Sequence, residues 1–215
     1  MAGVGSRAVT NDRGRISVQG TGHVALRPDL ARLRLSCLGE HARAAAAFDA
    51  CSSETAAVIA ALAEASISSS DLSTSGIVLS RRHDSDRYFA LNSLVVTVRP
   101  PERAGEVLAV AVDAGGDALT IDNVAFDVAD DAEARSQARQ EAVEDARRTA
   151  EELAAAAGVR LGRLISLEEG GGQRVTGQPR PARRISARAA AAPVEVGEQQ
   201  VIVSVNASYE IAEDA

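Results

Sequence analysis

Three histidines, His23, His41 and His83, and two cysteines, Cys37 and Cys51, are the side chains of this sequence best suited to chemistry near neutral pH. General-base or triad catalysis would need one of the histidines. His83 is the best placed, because Asp84 and Asp86 flank it and a carboxylate can orient an imidazole. No nucleophile motif of the G-x-S-x-G kind accompanies it, so the run Arg81 to Arg87 reads as a solvated polar tip. Cys37, His41 and Cys51 are all plausible metal donors, yet their spacing matches no zinc pattern. Both cysteines fall on apolar faces, where a free thiol acts as a small hydrophobe. A single Cys37–Cys51 bridge is the most they can form, and the sequence leaves open whether they pair. Gly170, Gly171 and Gly172 would cradle a phosphate only at a helix start, but the breaker-rich run Gln173 to Pro179 follows. All 23 basic residues are arginine, which removes Schiff-base and P-loop lysines. The expectation is a protein that is not an enzyme, with no catalytic, cofactor-binding or metal-binding residues and no cofactor.

Composition narrows the partners. The 215 residues are 46% hydrophobic and 25% charged, the balance of a globular chain, with a formal charge of −7. The aromatics are Phe48, Tyr88, Phe89, Phe126 and Tyr209, with no tryptophan, so stacking platforms for single-stranded nucleic acid are few. The acidic field also repels phosphate backbones, and nucleic acid is not an expected partner. One segment runs against that balance: from Gly170 to Pro193, Arg174, Arg180, Arg183, Arg184 and Arg188 occur without an acid. It reads as a solvated loop, a docking arm for an acidic protein or neighbouring subunit, or a phosphate contact. Arg180, Arg183 and Arg184 are the candidate partner-binding residues. Arg183 and Arg184 also precede Ser186 in the manner of a basophilic kinase site, and whether Ser186 is modified stays open.

The first 15 residues lack the apolar core of a secretory signal, and the longest apolar stretch, Ala56 to Ala63, falls well short of the ~20 residues that span a bilayer. As written, the chain is expected to be cytoplasmic and without a transmembrane segment, or in the envelope or secreted if an export signal is missing.

The elements that must position these residues follow from periodicity. Ile16 to Leu26 alternates as a strand, with Gly20 and Gly22 suggesting a bulge or bend, and Arg27-Pro28-Asp29 punctuates it. Ala31, Leu33, Leu35 and Cys37 form one face of a second strand. Residues 42–65 switch to helical spacing, with Phe48, Cys51, Thr55, Val58 and Leu62 as one apolar stripe. Strands over 72–80 and 88–99 flank the charged tip. Pro101 opens a helix that Gly115 and Gly116 end. After a strand over 121–128, Asp130 and Asp131 start the longest helix, 132–156, with Asp131/Arg135 and Glu144/Arg148 pairs on its exposed face. Its other face is small: Ala134, Ala138, Ala142, Ala146 and Ala150, then Leu153 and Ala157. That stripe reads as tight core packing, or else as a subunit interface. Strands over 161–168 and 201–211 complete an α+β class: a mixed or antiparallel sheet covered on one side by two long helices and one shorter helix.

The order of motifs resembles the SIMPL-domain (DUF541) family of bacterial periplasmic immunogenic proteins and their envelope relatives. The matching runs are Ile16 to Gly22 with Arg27-Pro28-Asp29; Asp71 to Ser75; Tyr88 to Asn92; Val112 to Gly116 with Val124 to Phe126; Ala138 to Arg147; and Leu153 to Gly162. The resemblance covers about 15–211 and implies one SIMPL-like domain there, with a flexible loop at 170–193 and tails at 1–14 and 212–215. It further implies a self-associating, non-enzymatic interaction module, a homo-oligomer linked to the envelope or to stress tolerance. The alternative is a small-ligand or stress-sensing domain with a pocket between helix and sheet.

Overall fold

The computed structural model describes residues 14–83, 85–170, 173–176 and 196–212. In chain order the elements are β1 (Arg15–Leu26), β2 (Leu30–His41), α1 (Ala44–Glu64), β3 (Leu72–Arg81), β4 (Tyr88–Val98), α2 (Ala104–Gly115), β5 (Leu119–Asp127), α3 (Ala132–Ala156), β6 (Arg160–Glu169), β7 (Gln173–Thr176) and β8 (Gln199–Ala212). The α+β class and the antiparallel pairing are as expected. The strands, however, divide between two sheets, each within its own compact unit. Strand β7 lies inside the segment expected to be a loop and pairs with β8.

The first unit contains β1, α3, β6, β7 and β8, with strand order β1-β8-β6. The Ile211 N–H donates to the Gly14 carbonyl at 2.9 Å, and the Ser17 and Ser208 hydroxyls meet at 2.9 Å, so β1 and β8 run antiparallel. Helix α3 lies on β1 through its alanines: Ala138, Ala142, Ala146 and Ala150 are fully buried against a layer of Val201, Val203 and Val205. Strand β1 runs without interruption through its glycines, and both are buried in its alternating pattern. A Cβ on Gly20 would overlap the Ala142 carbonyl and Ala146, and one on Gly22 the Ala138 carbonyl. Those glycines admit the helix backbone rather than break the strand. Ala154, not Leu153, continues the buried stripe, and Leu153 is exposed.

The second unit holds the sheet β3-β4-β2-β5, with α1 and α2 packed beside each other. Its core joins Leu33 and Leu35 of β2, Leu94, Val96 and Val98 of β4, and Val58 and Leu62 of α1. Each such side chain contributes about 2 kcal/mol by leaving water. Here too a glycine sets the approach: a Cβ on Gly39 would overlap the Ala47 carbonyl and the Cys51 backbone nitrogen. The close crossing explains a correction to the α1 stripe. Ala47 is buried where Phe48 was expected, and Phe48 points outward because a small residue must face Gly39. By length and composition α1 is apolar enough to cross a membrane, with hydropathy 1.3 over its best window, but it packs as a core helix on β2 and β4. Gly116 follows α2 with φ of 48°, a conformation open to glycine.

Candidate functional site

The charged tip between β3 and β4 is built as a hairpin, and its side chains are largely committed to one another. Arg81 pairs with Asp86, Arg82 pairs with Glu40 and stands 5.8 Å from the Phe89 ring centroid, and Arg87 Nη2 donates to the Glu40 carbonyl at 3.4 Å. Ser80, Arg81, Arg82, His83, Ser85 and Asp86 line an open depression of about 700 Å³. Among the described residues, the Asp86 carboxylate is taken by Arg81, and Ser85 Oγ is buried without a hydrogen-bond partner. Asp84 lies outside the described residues.

The other candidates are similarly placed. Cys37 and Cys51 are both buried free thiols, and Cys51 Sγ donates to the Cys37 carbonyl at 3.2 Å. Burial pushes the Cys37 thiol up from its ordinary range, opposed by a hydrogen bond with Thr55. His41 Nδ1 accepts the Arg43 N–H at 3.1 Å instead of facing the sulfurs. Among the described residues no three His, Cys, Asp or Glu side chains stand close enough to hold a metal ion. The alanine stripe of α3 is core. Arg180, Arg183, Arg184 and Ser186 lie outside the described residues.

The sequence leaves open which sheet edge is exposed. A free edge presents unpaired N–H and C=O groups to any other strand. On β1 that edge is closed by α3: Asp145 Oδ2 accepts the Thr21 N–H at 3.0 Å and Glu141 Oε2 the His23 N–H at 3.1 Å. Arg148, expected to pair with Glu144, instead braces Asp145 and reaches Glu152 at 2.9 Å. At β5 the Gln199 amide donates to the Phe126 carbonyl. Strand β3 lacks such cover: every residue from Ser73 to Arg81 is exposed, including Ile77, Val78 and Leu79. On β6, Leu164, Ile165 and Leu167 are likewise exposed. The run 72–80, in which small polar residues and Gly76 lead into Ile77-Val78-Leu79 without a charge, was the available signal.

Several of the motif residues quoted above acquire structural roles. Asp29 ties the ends of β5 and β2 together, its N–H donating to the Asp127 carbonyl at 3.0 Å and its Oδ1 accepting the Ala129 N–H at 2.8 Å. Asp71 holds Arg99 at 2.6 Å. Asn92 stands opposite Cys37 and Ile77, and its Oδ1 is buried without a hydrogen-bond partner among the described residues.

These features define an α+β protein of two helix-backed antiparallel sheets, in which some strand edges are capped and others are open. The chain belongs to the SIMPL family, a protein of unknown function (DUF541), whose profile matches residues 16–209. It is similar to the 26 kDa periplasmic immunogenic proteins of Brucella melitensis biotype 1 and Brucella abortus strain S19. In each case the identity is 31%, over 94% of this chain and 87% of the relative.

Proposed function

We propose that this protein is a non-enzymatic interaction module of the bacterial envelope that assembles with copies of itself. The observation that carries the reading is the clustering of exposed large apolar side chains on two strands, Ile77, Val78 and Leu79 on β3 and Leu164, Ile165 and Leu167 on β6. Such clusters on a water-soluble domain mark surfaces that associate. Envelope placement is favoured over the cytoplasmic expectation because the Brucella relatives are named periplasmic. Residues 15–211 act in this reading as one functional domain, with a stress-related role. The 170–193 segment serves as its second contact, where Arg180, Arg183 and Arg184 meet an acidic protein partner.

Light scattering at two concentrations tests the module: a mass several times 22.2 kDa at both supports it, and a monomer at both overturns it. Replacing Arg180, Arg183 and Arg184 with Glu tests the docking arm, which is excluded if every captured partner is retained. The small-ligand alternative has less support, since α3 lies directly on β1 and the depression at the β3–β4 tip is open. A metabolite that stabilised the protein in a thermal-shift screen would revive it.

A further inference from the structure

Strand β3 is hydrogen-bonded on one side, by β4, in a register that runs from Leu72 opposite Val96 to Arg81 opposite Tyr88 and shifts once, by an irregularity between Thr74 and Gly76. On its other side no backbone group has a partner among the described residues. Natural edges are protected by charge, proline or cover. Other edges here carry such protection: Asp145 and Glu141 occupy β1 amides, Gln199 and the acids Asp122 and Asp127 sit at β5, and β6 carries Arg163, Glu168 and Glu169. From Leu72 to Ser80 β3 has no charge and no proline, while Ile77, Val78 and Leu79 are 56%, 48% and 47% exposed.

The geometry points to a second copy of this chain as the occupant of that edge, β3 pairing antiparallel with β3 about a two-fold axis. Charge decides the direction. Asp71 stands just before the strand and Arg81 ends it, beside Arg82. Antiparallel pairing brings the acidic end of each copy to the basic end of the other, whereas parallel pairing would set arginine against arginine. Between the ends no charged residue opposes another. The intramolecular pairs Arg99–Asp71 and Arg81–Asp86 are solvent-exposed and hold these groups only weakly. The union joins two four-stranded sheets into one of eight, and with Asp71 opposite Arg81 the axis falls at Gly76, so that the Ile77-Val78-Leu79 run of each copy faces Ser75, Thr74 and Ser73 of the other. A single pair of ten-residue strands buries roughly the 1,000 Å² that a specific interface must clear. The contact is therefore expected to dissociate on dilution unless a further interface supports it.

This inference rests on the self-association proposed above, and the experiment separates the two. Sedimentation velocity is recorded over a hundredfold dilution for the full chain and for Gly76→Lys and Gly76→Glu, which set like charges against each other at the axis, each checked by circular dichroism for an unchanged fold. A Cβ at Gly76 meets nothing within 4 Å, so both variants should fold. Each variant alone should associate at least about tenfold more weakly than wild type, and an equimolar mixture should recover the association, which a folding defect would not allow. Variants that keep the wild-type mass profile overturn the β3 assignment while leaving self-association standing. A wild type that is monomeric throughout overturns both. A monomer purified with an extended peptide protecting the β3 amides from hydrogen exchange would give the edge to another partner and overturn the second-copy assignment.

Discussion

The backbone N–H of Thr21 donates to the carboxylate of Asp145 at 3.0 Å, so a side chain of α3 occupies a position that a neighbouring strand would otherwise fill. Glu141, one turn earlier, does the same for His23 at 3.1 Å. The spacing is simple: alternate amides on one edge of a strand point the same way, and residues four apart on a helix lie on one face. The buried alanines bring α3 close enough for short acidic side chains to reach over. Packing and edge protection on β1 thus follow from the same repeat.

The cap predicts an acid-sensitive component of stability. The Thr21 N–H favours ionised Asp145 and holds its carboxyl below the ordinary carboxylate value against the opposing effect of burial, with Arg148 adding to the lowering. Unfolded Asp titrates near 3.9, so below that pH the unfolded chain takes up a proton that the folded chain still refuses. Stability from this group is fully present above that value, declines as pH falls toward the lower folded value, and is gone below it. Asp145→Asn should therefore show a stability deficit that is constant above about pH 5 and shrinks below about pH 4. Urea midpoints of both proteins from pH 3 to 7 check this, and a deficit unchanged by pH would refute it.

The glycines make a sharper test. Gly20→Ala places a methyl group against the Ala142 carbonyl and Ala146, and neither belongs to a flexible side-chain end. A cost of about 3 kcal/mol is expected, at the high end for overpacking. Gly76→Ala, on exposed β3, meets nothing within 4 Å and should change stability by less than about 0.5 kcal/mol. Chemical denaturation of the pair distinguishes a helix seated on β1 from a glycine used only for flexibility.

These contacts also mark where sequence reading succeeds and stops. The alternation of Leu33, Leu35 and Cys37 and the four-residue repeat of alanines each specify an element and its buried face, because both depend on local periodicity. The choice between Ala47 and Phe48 does not, since both lie close to the α1 stripe and Gly39, on another strand, decides it. In the same way Gly20 looks like a strand breaker until a helix from more than 100 residues away is laid across it. The assignment of strands to two sheets, and the difference between the capped β1 edge and the open β3 edge, are long-range facts with no local period. Arg148 illustrates this for charge: four acids, Glu144, Asp145, Glu151 and Glu152, lie three or four residues away along the helix, and Arg148 pairs with Glu152 and with Asp145, whose carboxylate also holds the Thr21 N–H.

Asn92 offers a substitution expected to be harmless or helpful. Its Oδ1 is buried without a hydrogen-bond partner among the described residues, opposite Cys37 on β2 and Ile77 on β3. An unsatisfied buried acceptor forfeits its water contacts with nothing in return. Asn92→Leu, whose side chain has the same branched four-heavy-atom shape at a half-buried position, should leave stability unchanged or raise it by about 1 kcal/mol, read as the thermal midpoint. A loss of more than about 1 kcal/mol would mean that the amide carries a needed interaction.

The cysteines should report on the opening of the second unit rather than on their own chemistry. Thiolate is the reactive form, and burial disfavours it at Cys37 by raising its pKa, while both sulfurs are closed from solvent between β2 and α1. A disulfide reagent at pH 8 must wait for α1 to lift from Gly39, so labelling should be slow in the native protein and complete within minutes in denaturant, with two thiols released. Because one opening exposes both, they should label with a common rate set by local unfolding. Ala47→Gly, which weakens α1 by about 1 kcal/mol, should then speed both equally, by roughly fivefold. Rapid labelling of native Cys37 alone would contradict the closed α1–β2 contact on which the core of that unit depends.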